Sequence, residues 1–228
     1  MTLAISPRAT ETWVRTPDRV AGALAAGFVV LLLATELVLT LPDEADSPES
    51  VANFYAAHRS IIIILQVLGL VAAVLLGAYA WRLRTVDRFV AAAGMIMAVC
   101  GLVPGLITLM IAIVADPDHP AAAGRWNALE PRGDDILFVG IVLFAGAIAV
   151  RLGRRLPALG VLAALVALSC LARLVLEVAG RSRGPLEAVG PLLFVVLVAT
   201  MAVLSFLGIL RADSAPALAQ ERIDDHEQ

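Results

Sequence analysis

Hydrophobic residues fill the chain in six long blocks that are separated by short polar stretches. An α-helix needs about 20 apolar residues to cross the hydrocarbon core of a bilayer, and each block approaches or exceeds that length. We therefore predict an all-α fold, a polytopic transmembrane helix bundle of six spans. The predicted spans are 20–41, 60–82, 88–114, 135–152, 157–179 and 187–210.

The polar stretch between the first two spans carries a helix signature of its own. Ser-Pro-Glu at 47–49 supplies an N-cap, a proline at the first helical position and an acid in the first turn. An apolar and aromatic stripe follows at helical spacing: Val51, Phe54, Tyr55 and His58. We predict a short amphipathic helix over 48–59 that lies at the outer membrane interface and runs into the second span.

Composition supports a single membrane domain. The 228 residues are 60% hydrophobic and only 16% charged, whereas soluble domains carry about 25% charged residues. The predicted organisation is a cytoplasmic N-terminal segment (1–19), a six-span domain (20–211) and a disordered acidic cytoplasmic tail (212–228). The first block is too long for the core of a signal peptide, so we expect it to remain as a span.

The distribution of arginine predicts the orientation in the membrane. All 17 basic residues are arginine; eleven flank the spans on the side of the termini and five lie on the opposite side. Cytoplasmic loops carry the excess of positive charge, so both termini should face the cytoplasm of a plasma-membrane protein. The absence of lysine also excludes Schiff-base chemistry with retinal or pyridoxal phosphate.

The loops on the opposite side are acidic, and two explanations remain open. Translocated loops tolerate carboxylates, or the acids form a vestibule for a cation or a cationic ligand. Their spacing is not that of an EF-hand loop. The acids are Asp43, Glu44, Asp46 and Glu49 in the first loop, and Asp116, Asp118, Glu130, Asp134 and Asp135 in the second.

Three ionisable residues lie within the predicted spans, where charge is costly and points to a role. Glu36 and Arg173 lie about 8 and 10 Å below the same face, at 1.5 Å per helical residue. Arg173 and Glu177 are four residues apart and share a helix face. We predict a polar pocket in which Arg173 pairs with Glu36 and Glu177 is a second carboxylate. The candidate rim residues are His58, Gln66 and Asp135.

This pocket has two interpretations. It is either a structural ion pair, with the arginine also able to extend towards the headgroups, or a site that binds substrate or handles protons. No catalytic residue is assigned. The three histidines lie in or beside loops and in the tail, the two cysteines are isolated, and phosphate-binding and serine-hydrolase motifs are missing. The sequence thus indicates no metal site, no cofactor and no nucleic-acid partner.

The segment 47–84, SPESVANFYAAHRSIIIILQVLGLVAAVLLGAYAWRLR, resembles a group of uncharacterised actinobacterial integral membrane proteins. In that group an acidic outer loop leads into an aromatic-basic junction and then a span rich in glycine and leucine. The matching residues here are Phe54, Tyr55, His58 and Arg59. The resemblance implies a fold type and no reaction.

Two function classes are compatible with these observations. The first is a non-enzymatic membrane component, whether accessory, regulatory or a small transport protein. The second is a membrane-embedded enzyme of cyclase or isomerase type that uses Glu36 as an acid on a lipophilic substrate. Carbocation chemistry calls for aromatic faces, and only 5% of the residues are aromatic, which favours the first class. Expected partners are membrane lipids, with a lipophilic small molecule or a partner membrane protein as further candidates.

Overall fold

A computed structural model describes residues 17–42, 46–181 and 186–211. The described part is helical and contains no strand. Residues 1–16 of the predicted N-terminal segment (1–19) and the whole predicted tail (212–228) lie outside the described residues. The helices are α1 (Arg19–Glu36), α2 (Pro48–Leu83), α3 (Arg88–Cys100), α4 (Leu102–Val114), α5 (Ala121–Asn127), α6 (Glu130–Leu152), α7 (Pro157–Val178) and α8 (Leu186–Phe206), and a 3-10 turn η1 (Ile209–Arg211) follows.

Six helical segments in the described ranges are long and apolar enough to cross a membrane, which confirms the predicted six-span bundle. α3 and α4 together form the third segment, and α5 and α6 form the fourth. The interruption between α3 and α4 falls at Gly101. Pro104 has no N–H to donate to the carbonyl four residues earlier, so a helix weakens at this point.

The spans form a closed ring in which each packs against two neighbours, in the order α1, α2, α3, α6, α7 and α8, with α8 returning to α1. The centre of the ring is filled by side chains. Phe194 of α8 makes edge-to-face contacts with Phe28 of α1 and Phe144 of α6, at centroid distances of 6.2 and 6.5 Å. These rings join three helices across the bundle axis.

The first span is shorter than predicted. α1 ends at Glu36, although apolar residues continue to Leu41. Pro42 disfavours helical geometry at Leu41, and residues 39–42 form no helix. Counting apolar residues therefore placed Glu36 too deep: it is the last residue of its helix, not a residue a turn and a half inside it.

The predicted helix over 48–59 is present, and Ser47 caps it by accepting a hydrogen bond from the Ser50 N–H at 3.2 Å. It forms the first three turns of the 36-residue α2 and so runs into the second span, as predicted. Val51 and Tyr55 are fully buried in a small core with Ile111 of α4 and Ala123 of α5. Val51 and Tyr55 of the stripe thus face protein, whereas His58 is exposed. α5 and these turns form a cap over one end of the bundle.

We name the two ends of the bundle by a residue at each. The Asp18 end contains the start of α1, the turns after α2 and α6, and the end of α8. The Asp135 end contains the cap, the start of α6 and the end of α7.

Candidate functional site: two polar centres at the Asp135 end

Arg173 is the most deeply enclosed charge among the described residues. It has no exposed surface, and its Nη1 donates to Asp135 Oδ1 at 2.6 Å. The guanidinium carbon lies 3.9 Å from the centroid of the Phe138 ring. An arginine can stay charged in such a setting because a carboxylate and an aromatic face each replace part of its hydration. One polar atom, Arg173 Nε, has no hydrogen-bond partner.

The local sequence of α6 explains this arrangement. Asp135 and Phe138 are three residues apart, so they present a carboxylate and a ring on one face of the helix. α8 closes the space beside them: a Cβ on Gly190 would lie 3.4 Å from Phe138 Cε1 and 2.9 Å from Cys170 Sγ. This close approach of α8 excludes solvent from the side of the Arg173 pair.

The predicted pair between Glu36 and Arg173 is wrong. Arg173 bonds to Asp135 instead, and Glu36 is exposed at the end of α1, whose close neighbours are α2 and α8. Matching depths placed both residues in one layer, but α1 and α7 do not pack on each other, because α8 lies between them in the ring. Glu177, the predicted second carboxylate, is half-buried one turn after Arg173.

The three predicted rim residues have separate environments. Asp135 is the partner of Arg173 and is 31% exposed at its side chain. His58 is exposed, its Nδ1 lies 2.9 Å from the Phe54 carbonyl, and its ring lies over Phe54. Gln66 packs against α4, where a Cβ on Gly105 would meet its Oε1 at 3.2 Å. They do not form one rim.

A second polar centre lies under the cap, where a hydrogen bond joins α4 to α6. Thr108 of α4, which is buried, donates through its Oγ1 to Glu130 Oε1 of α6 at 3.3 Å. Tyr55 of α2 is fully buried, its hydroxyl has no hydrogen-bond partner, and it packs in the core that contains Ile107 and Ile111 of α4. Asn127, buried at the end of α5, lies three residues before Glu130. Sequence reasoning missed this centre because Glu130 was assigned to a loop and Thr108 to an unremarkable span.

The Asp18 end holds structural ion pairs. Asp18 caps α1, accepts from Arg82 at 2.9 Å, and donates its backbone N–H to the Ser205 carbonyl, which ties α1 to α2 and α8. Asp87 caps α3 and accepts from Arg151 of α6 at 2.9 Å. Partial burial raises the pKa of Asp87, but bonds from two backbone N–H groups and the Arg151 guanidinium outweigh it, so the pKa lies below its usual range.

Within the described ranges no three His, Cys, Asp or Glu side chains are grouped so that they could hold a metal ion. His119 and Asp116 form an exposed pair at 3.1 Å, and this bond lowers the pKa of the Asp116 carboxyl.

No protein family, no curated protein and no solved structure matches this chain.

Proposed function

We propose that this protein is a non-enzymatic component of the plasma membrane, an accessory, regulatory or small transport protein. The observation that carries the proposal is the state of Arg173. Its charge is taken up by Asp135 and by the Phe138 ring, so it supports the contact between α6 and α7. A group that is bonded in this way stabilises a bundle, and a reaction site would instead need a charge directed at a substrate.

The position of Glu36 argues against the enzymatic alternative. A general acid for a lipophilic substrate needs an enclosed site. Such a site holds the acid in position for proton transfer to the substrate and keeps water away. Glu36 is exposed at the last turn of α1 and forms no ion pair within the described part of the chain. The aromatic rings that meet in the bundle centre fill it by contacting one another.

We also propose that the Asp18 end faces the cytoplasm. The arginine bias supports this orientation, because the turns after α2 and α6 each carry clustered arginines: Arg82, Arg84, Arg88, Arg151, Arg154 and Arg155. The same proposal includes the plasma membrane as the location of the protein. It also includes a relationship to the uncharacterised actinobacterial proteins, which the resemblance over 47–84 supports.

A complementation experiment separates the two functional classes. A strain without the gene would be complemented with wild-type protein or with Glu36→Gln, and growth and the lipid profile by mass spectrometry would be compared. We expect Glu36→Gln to restore both fully, because its carboxylate carries no reaction. Glu49→Gln, which alters another exposed acid at the same end, is the matched control.

Loss of complementation by Glu36→Gln, with normal protein amount and a lipid species accumulating as in the deletion strain, would overturn the proposal. That outcome would identify Glu36 as the acid of a lipid-modifying enzyme.

A further inference from the structure

We propose that Glu130, Thr108 and Tyr55 form a binding site for a monovalent hard cation, with Na⁺ as the ion, beneath the cap at the Asp135 end. The site would exist whether or not the protein is an enzyme, so it does not rest on the proposed function. Its three oxygens come from α6, α4 and α2, and none belongs to the Arg173 centre.

Glu130 is an acid without a cationic partner in the described part of the chain. Its carboxylate is half-buried and accepts a hydrogen bond from a buried threonine. Asp134, a second acid, lies four residues further along the same helix. Like charges at this spacing repel each other, and a bound cation would remove the repulsion.

The Tyr55 hydroxyl is a second polar group without a partner under the cap. Tyr55 has no exposed surface, and its oxygen makes no hydrogen bond. A buried polar atom without a partner is uncommon in folded proteins and calls for an unseen water or ion. Tyr55 packs in one small core with Ile107 and Ile111 of α4, which precede and follow Thr108 on that helix, so the unpartnered oxygen lies at the junction where Thr108 bonds the Glu130 carboxylate.

The ligand set indicates the class of ion. Hard cations bind oxygen from carboxylates, hydroxyls and amides. One carboxylate bonded to one hydroxyl, with a second hydroxyl beside it, provides a single formal charge, which matches a monovalent ion. Calcium sites commonly use several carboxylates, and magnesium retains its own waters. Asn127, buried just before Glu130, brings an amide to the same junction.

The test measures thermal unfolding of the purified full-length protein in detergent. Na⁺ replaces choline at constant ionic strength, and parallel series use K⁺ and Ca²⁺. Because a ligand that binds only the folded state stabilises it by mass action, saturating Na⁺ should raise the wild-type Tm by about 5 °C. Glu130→Gln should abolish the rise, and Glu49→Gln should retain it.

Tyr55→Phe is the second variant, since it removes one oxygen and preserves the packing of the ring. It should weaken the apparent Na⁺ affinity by roughly threefold or more through loss of one ligand, which keeps the test decisive if Glu130→Gln does not fold. Direct binding of radioactive sodium should follow the same order. The assignment would be overturned by equal Tm values in choline and Na⁺, or by a rise with Ca²⁺ alone. It would also be overturned by a response of the Tm to pH without any response to Na⁺, or by an unchanged Na⁺ response in either variant.

Discussion

The contact between Arg173 and Asp135 allows an asymmetric prediction about stability. Asp135→Leu leaves a guanidinium whose side chain is 1% exposed, and a buried charge that loses its partner typically costs about 3–5 kcal/mol. Arg173→Met leaves Asp135, which is 31% exposed and can turn to water, so the loss should be smaller. We expect about 1–3 kcal/mol, including the cation–π contact with Phe138.

The double variant should recover most of the lost stability. Replacing both members of a buried pair by apolar side chains is often nearly neutral, so the coupling energy of the cycle should be about 2 kcal/mol or more. The free energy of unfolding would be measured for all four proteins in mixed micelles of mild and denaturing detergent, followed by tryptophan fluorescence. Asp135→Asn is a useful intermediate, because it keeps an acceptor for Nη1 without the charge.

A matched control uses Glu36 in place of Asp135. The cycle of Glu36→Gln with Arg173→Met should be additive within about 0.5 kcal/mol, because residues without a shared contact do not couple. Additive losses for Asp135 with Arg173, or strong coupling with Glu36, would refute the reasoning from burial and contact.

Two further predictions address packing and orientation. Gly140→Ala should lower the Tm and reduce the free energy of unfolding by about 1–3 kcal/mol, because its Cβ would lie 2.8 Å from Cys100 Cβ and 3.2 Å from Met97 Cα. The control Gly146→Ala, whose Cβ meets nothing within 4 Å, should be neutral. Equal effects of the two variants would contradict the packing. In a background without native cysteines, Thr85→Cys should be protected from an impermeant thiol reagent in intact cells and Asp118→Cys should react, whereas the reverse pattern would invert the proposed orientation.

The six spans could be predicted because their cause is local. A run of about 20 apolar residues indicates a helix that is surrounded by lipid, and a hydropathy scan detects such runs. The ends of the helices could be predicted less well from hydropathy, because hydrogen bonding and not hydrophobicity determines where a helix ends. α1 stops at Glu36 within an apolar run, and α6 begins at Glu130, within a stretch whose acids suggested a loop.

The two polar centres depend on which helices are neighbours, and the sequence does not contain that information in any local form. The depth of a residue along its helix could be counted from the sequence, but the direction in which its side chain faces around the helix axis could not. Arg173 therefore had three candidate carboxylates, Glu36, Glu177 and Asp135, and packing of α7 on α6 selected Asp135. The contact of Thr108 with Glu130 spans 22 residues and forms only after α4, α5 and α6 have folded back on one another.

The length of α2 has a consequence for the electrical environment of the cap. Tyr55 precedes Leu83 by 28 residues, which is about 42 Å of helix, whereas the hydrocarbon core is about 30 Å thick. With Leu83 at one boundary of that core, Tyr55 lies roughly 10 Å beyond the other. Membrane voltage falls across the hydrocarbon and acts on a charge that moves through it, at about 2.3 kcal/mol per 100 mV. An ion held beside Tyr55 would bind outside that drop, so its occupancy would follow the ion concentration in the adjoining water and not the membrane potential.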